Sequence, residues 1–220
     1  MEFSRFENLL SDFFTTSGQQ LPPGQTGKLG PVVLEKLKSS TEAESGAGEP
    51  DKLLAVLERS LSFYVRKSDV CATFIDVLPD VIEMTRSEFG FLAEVCYGFG
   101  GDPYLQSHAV SNAYAGWPGG DVVSGLQFLN LDTLNGAIMT TSKPVISNDP
   151  PNDPRSGGLP SGHYDLRSYI GLPFHFDGSL VGALALANRD GGYDEAMVEF
   201  LEPMSLLFGL LIETDRQKST

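Results

Sequence analysis

The chain has 220 residues, enough for one substantial hydrophobic core with an extension and too few for two large domains. Its 15 basic and 29 acidic side chains leave a formal charge of -14, which repels phosphate backbones and anionic head groups and so argues against nucleic acid or a membrane surface as partner. The 24 glycines and 14 prolines exclude a long coiled coil and predict many turns and loops.

Residues 2 to 14 place Phe3, Phe6, Leu9, Leu10 and Phe13 at helical spacing, giving a short helix with one apolar face. The stretch TTSGQQLPPGQTGKLG, residues 15 to 30, reads as a linker. Its GQTGK is not a phosphate loop, because Pro22 and Leu29 stand where that motif needs Gly and Ser or Thr. Two helical turns are expected over 31 to 38, then a polar linker. A helix capped by Asp51 follows to about residue 66, with Leu53, Leu54, Val56, Leu57 and Leu61 on its apolar face.

From Ser68 onward the signals become denser. Asp69 caps a predicted helix carrying Val70, Phe74, Val77, Leu78, Val81 and Ile82, bent by Pro79 and ending near Gly90. Phe91 to Tyr97 and Tyr104 to Val110, joined by YGFGGDP, predict a hairpin. The segment 111 to 129 is long and Gly-rich; loops of this kind inside a compact domain are usually functional. A short helix over 132 to 141 and a short strand over 143 to 147 come next, then a second long loop, 148 to 166, with four prolines.

The strongest local signal is YIGLPFHF, Asp177-Gly178, SLVGALALA: two apolar runs joined by a pair suited to positive φ, hence a tight hairpin. A final helix from Asp194 to about 214 carries the seam Met197, Leu201, Met204, Phe208 and Leu211, with Pro203 and Gly209 expected to interrupt it. That seam can pack on the N-terminal helices of its own chain or on a second copy, giving a homodimer through the terminal helices.

This order describes an α+β fold, a central antiparallel sheet with helices on its faces and an N-terminal helical extension. Residues 1–68 form the extension with its linkers, 69–215 the main domain and 216–220 a polar tail. Cys71 and Cys96 are the only cysteines, with no CxxC pair or Cys/His cluster to hold zinc. The absence of a long apolar run and of a secretory start predicts a cytoplasmic location.

Residues 69 to 213 resemble the GAF family, most sharply in KPVISNDPPNDPRSGGLPSGHYDLRSYIGLPFHFDGSLVGALALANRDGGYD, residues 143 to 194. That run is similar to the subgroup found beside histidine kinases and nucleotide cyclases. The resemblance implies a GAF/PAS-like sensory module that binds a small molecule between the sheet and its covering loops. It would pass the ligand's state through terminal helices to a signalling effector such as a kinase or cyclase. The alternatives are a GAF fold used only for dimerisation or protein contact, and a small enzyme.

The candidate ligand-binding residues lie in the two long loops. Asn148, Asp149, Asp153, Arg155 and His163 present polar groups in the second, where Asx-Pro turns and an Arg155–carboxylate pair would equally serve to pin the loop. Tyr114 and Trp117 in the first suit an aromatic lid, or a ring filling the core edge. No GxSxG elbow or paired His/Cys nucleophile is present, so no catalytic residue and no metal ligand is assigned. GAF proteins that reduce free methionine sulfoxide or attach a bilin covalently depend on cysteines near the pocket, and residues 97 to 220 contain none. A covalent bilin is therefore not expected, and a noncovalent small ligand of unknown identity is. The cyclic-nucleotide NKFDE pattern is matched only at its start by Asn188-Arg189 and Tyr193, since Met197 and Val198 replace its acidic pair.

Overall fold

Alternation of side-chain size organises the sheet at the centre of this chain. The computed structural model describes residues 3–16, 26–42, 48–111, 122–159 and 161–218. Seven antiparallel strands follow the order β3-β2-β1-β7-β6-β5, with β4 also pairing on β2. They are β1 (Phe89–Tyr97), β2 (Pro103–Ser111), β3 (Val122–Val123), β4 (Gln127–Phe128), β5 (Val145–Ser147), β6 (Tyr169–Phe176) and β7 (Ser179–Ala187). The expected antiparallel sheet is present, and the long loop after β2 contributes two short edge strands, β3 and β4, to it.

The β6–β7 hairpin has the predicted limits. Asp177 and Gly178 take φ of 48° and 76°, the paired left-handed conformation of a two-residue turn, where Gly is at home and Asp is tolerated. In β7, Val181, Leu184 and Leu186 enter one core while Ala183, Ala185 and Ala187 face the other side of the sheet. One face is therefore thickly packed and the other stands shallow.

Helices α1 (Ser4–Thr16), α2 (Thr26–Glu42), α3 (Pro50–Lys67), α4 (Val70–Thr85) and α6 (Glu195–Lys218) share the thick core with that face. Helix α5 (Leu134–Thr141) packs on the opposite face. Several boundaries differ from expectation. Helix α2 is twice the expected length and contains Pro31, because Val33 and Leu37 are fully buried in the shared core and tertiary packing outweighs weak propensity. The N-cap of α3 is Glu49, with Pro50 at the first helical position, which puts Asp51 inside the first turn. Helix α4 begins as expected with Asp69 accepting a bond from the Ala72 amide, and ends at a left-handed Arg86 instead of near Gly90.

Helix α6 runs unbroken through Pro203 and Gly209. Gly209 lets the helix lie directly on β6, since a Cβ there would meet the His175 carbonyl oxygen at 2.6 Å. All five seam residues are fully buried within the single chain, in the core that holds Phe6 and Phe13 of α1, Val33 and Leu37 of α2, and Leu57 and Leu61 of α3. The seam is thus occupied intramolecularly and offers no face to a second copy.

The C-terminal turns of α6 are fixed by polar contacts. Arg216 Nε donates to Glu94 Oε1 of β1 at 2.5 Å, and Glu94 Oε2 meets His108 Nε2 of β2 at 2.9 Å. Burial would raise the Glu94 carboxyl, but the hydrogen bonds and charges of His108 and Arg216 outweigh it and hold it below the usual carboxylate range. Lys218 Nζ donates to Tyr64 Oη of α3 at 2.8 Å, and that phenol donates to Asp215 at 3.2 Å.

Candidate functional site

The shallow face of the sheet carries a cavity of about 430 Å³. Its floor is the start of β1 (Phe89, Gly90, Phe91) with Tyr169 of β6 and Ala185 and Ala187 of β7. Small alanines are what leave the space: a row of leucines there would fill it with side chains. The walls are residues 126–130, the first turn of α5, and the 156–166 loop through Gly157, Leu159, His163 and Leu166.

Aromatic groups line much of the interior. Phe91 and Phe128 stack at 4.5 Å with planes 21° apart, and Phe89 meets the His163 ring edge-on at 5.4 Å. Polar atoms enter at few places. Tyr169 Oη donates to Asn135 Oδ1 at 2.7 Å. Burial pushes the Tyr169 phenol well up, so it stays protonated. Thr133 caps α5, accepting from the Gly136 amide at 3.0 Å, and its hydroxyl donates to Asn130 O. His163 Nδ1 donates to the Tyr164 carbonyl at 2.6 Å, which in the neutral ring leaves Nε2 as the acceptor nitrogen.

The sequence-predicted residues divide sharply. His163 lines the cavity. Asn148, Asp149, Asp153 and Arg155 belong to the loop beside it and are not among its lining residues. Arg155 clasps Asp153 through Nε at 2.9 Å and a terminal nitrogen at 2.7 Å, and the same nitrogen donates to Ile146 O of β5 at 2.8 Å. The guanidinium holds the Asp153 carboxyl well below the usual carboxylate range. Asn148 accepts from the Tyr193 amide and donates to the Tyr193 carbonyl, both at 2.9 Å, and Asp149 accepts from Asn152. These four side chains tie the loop to itself, to β5 and to the segment before α6. Tyr114 and Trp117 lie outside the described residues.

Sequence reasoning passed over Asn130, Asn135 and Tyr169, which look like ordinary cap, helix and strand residues. It weighed Asn188 only as the start of the NKFDE pattern, whereas this residue positions the cavity's loop. Asn188 is buried with φ of 62°; its Oδ1 accepts from the Arg167 amide at 2.7 Å, and its Nδ2 donates to Asp165 O and to Glu88 Oε2, each at 2.8 Å. Glu88 in turn receives Arg167 at 2.5 Å. The end of β7 and the start of β1 thereby hold the loop that delivers His163 and Leu166. Neither cysteine touches the cavity: Cys71 sits on α4, its thiol directed to the His108 carbonyl, and Cys96 lies near the far end of β1. Burial pushes both thiols up. Among the described residues no group of three or more His, Cys, Asp or Glu side chains is arranged to hold a metal, and no helix is long and apolar enough to cross a membrane.

An antiparallel sheet with a helical core on one face and a loop-walled cavity on the other defines a class of small-molecule-sized receptacle domain. The chain belongs to the GAF domain family, which it matches over residues 69–213. Comparison with curated proteins finds no match. Among solved structures it is similar to the GAF domain of a phosphoenolpyruvate-protein phosphotransferase from Coxiella burnetii, at 18% identity and a TM-score of 0.63, covering 80% of this chain and 99% of that one. It also resembles the free methionine-R-sulfoxide reductase of Neisseria meningitidis, solved with its substrate, at 15% identity and TM-score 0.54, over 76% and 91% of the two chains. A phycocyanobilin-bound GAF domain from a cyanobacterial phytochrome gives 17% identity and TM-score 0.53, over 74% and 95%. At these identities the likeness is one of fold.

Proposed function

We propose that this chain is a cytoplasmic regulatory module that takes a small molecule noncovalently into the cavity on the shallow face and reports its presence through α6. The cavity carries this reading: its volume is that of a ligand site, it is mostly apolar, and its few polar atoms converge on one space. His163, Asn135 and Tyr169 are the polar contacts; Asn148, Asp149, Asp153 and Arg155 hold the covering loop, and Tyr114 and Trp117 of the segment after β2 are assigned the part of lid. The placement of both cysteines away from the cavity supports a noncovalent ligand and a non-catalytic role.

Strand β1 supports the relay. Phe89 and Phe91 form the cavity floor, and Glu94, three residues further along, holds Arg216 of α6 on the opposite face. A shift of β1 under a ligand would reach the α6 terminus through that contact, and from there a signalling effector such as a kinase or cyclase. The strong negative charge leaves nucleic acid and membranes out of this reading.

Native mass spectrometry of the purified protein, paired with Ala185→Leu, tests it. The expected result is a co-purifying small molecule that is absent from the variant, whose added side chain occupies the cavity floor. A correctly folded protein that binds no small molecule, with the cavity taken up by Trp117 and its neighbours, would overturn the reading.

A further inference from the structure

Resting on that cavity being a ligand site, we propose that its ligand is an uncharged, flat, largely apolar molecule that presents a hydrogen-bond acceptor to Asn135. Among the described lining residues none is Lys, Arg, Asp or Glu. The ionisable side chains there are His163 and Tyr169, and the Tyr169 hydroxyl is engaged with Asn135. The segment 112–121, whose sequence is NAYAGWPGGD, contains no Lys, Arg or His and so supplies no cation wherever it lies. The basic groups nearest in sequence are committed elsewhere: Arg155 to Asp153 and Ile146 O, Arg167 to Glu88.

A carboxylate or phosphate entering this space would shed its water and find no Lys or Arg among the described lining residues, in a chain already at -14. A cation would find aromatic faces and no carboxylate among the described lining residues, so its desolvation is also poorly offset. A neutral molecule loses little on entry and gains the stacked Phe91 and Phe128 pair and the alanine floor. Asn135 supplies orientation. Its Oδ1 is taken by the Tyr169 hydroxyl, while its Nδ2 hydrogens find no acceptor among the described residues and are left to donate to the ligand.

Matched probes test the charge selection directly. Naphthalene and anthracene scaffolds, each as carboxamide, carboxylate and methylammonium, are titrated at pH 7 against the full chain and against Ala185→Leu, with saturation-transfer NMR as readout. The carboxamides are expected to bind at least 10-fold more tightly than either charged form, to lose about 5-fold or more in Asn135→Ala, the size of one hydrogen bond, and to lose binding in Ala185→Leu. If a charged form binds as tightly as its amide, and that binding is lost in Ala185→Leu, the inference falls and the sensor reading stands. If no probe of any charge binds, or binding persists unchanged in Ala185→Leu, the ligand-site reading falls and takes the inference with it.

Discussion

Replacing Asn188 with alanine should cost this fold about 4 kcal/mol, and the structure shows how that sum divides. Its amide makes three short hydrogen bonds, to the Arg167 amide, Asp165 carbonyl and Glu88 carboxylate, at a site only 2% exposed. At about 1 kcal/mol each these amount to about 3 kcal/mol, an upper figure because Glu88 is half exposed and can turn to water. The backbone contributes the rest: at φ of 62° Asn is tolerated, whereas a bare Cβ costs roughly 1 kcal/mol more. Asn188→Gly removes the same bonds without that conformational penalty, so it should cost about 3 kcal/mol. Urea denaturation read by circular dichroism measures both, provided the slope stays constant between variants. In a domain of this size the alanine variant should melt roughly 10 °C lower. Losses below about 1 kcal/mol, or a glycine variant less stable than the alanine one, would refute the assignment of Asn188 as the residue that fixes the cavity's loop.

Arg155→Ala should lower stability by about 1–2 kcal/mol at pH 7, a value discounted because the guanidinium is 44% exposed although Asp153 is only 9% exposed. The depressed Asp153 pKa contributes stability above its unfolded value of about 3.9 that disappears as pH falls through the folded value, so the gap between wild type and variant should close in acid; an equal gap at pH 7 and below pH 3 would count against the pair. A cavity ligand should stabilise wild type and Arg155→Ala to the same extent, and thermal melts with and without it check this. Glu94→Gln should speed amide hydrogen exchange in the last two turns of α6, and unchanged protection there would remove the proposed relay contact. Trp117 is the sole tryptophan, so ligand entry should shift its emission if its loop is the lid; a spectrum insensitive to saturating ligand would exclude that role.

Much of the fold could be read before any coordinates, because its signals are local. The Asp177-Gly178 turn between apolar runs, the Asp69 cap and the strand patterns of Phe91 to Tyr97 and Tyr104 to Val110 each arise from neighbouring residues. The misread elements are those where distant contacts decide: α2 keeps its helix across Pro31 because the core covers Val33 and Leu37, and α6 passes Gly209 because β6 needs the space. The site was less legible for a related reason. A loop dense in Asn, Asp and Arg looks like a ligand's partner, yet Asn148, Asp153 and Arg155 satisfy one another and the backbone, leaving little to offer outward. The groups that do face the cavity, Asn135 and Tyr169, carry no distinctive spacing and meet only because α5 packs on β6. One signal was present and unused: in Gly182-Ala-Leu-Ala-Leu-Ala187 size, and not polarity, alternates.

That alternation has an evolutionary consequence. Substitutions at Ala185 and Ala187 would redraw the cavity, while Leu184 and Leu186, one position away on the same strand, keep the helical side anchored. Cavity shape and helical packing are thereby encoded on separate, interleaved letters of a single strand. On the proposed ligand-binding reading, a lineage carrying it can vary the cavity by point mutation while the helical side stays packed, which is one physical route by which a single architecture comes to serve different roles.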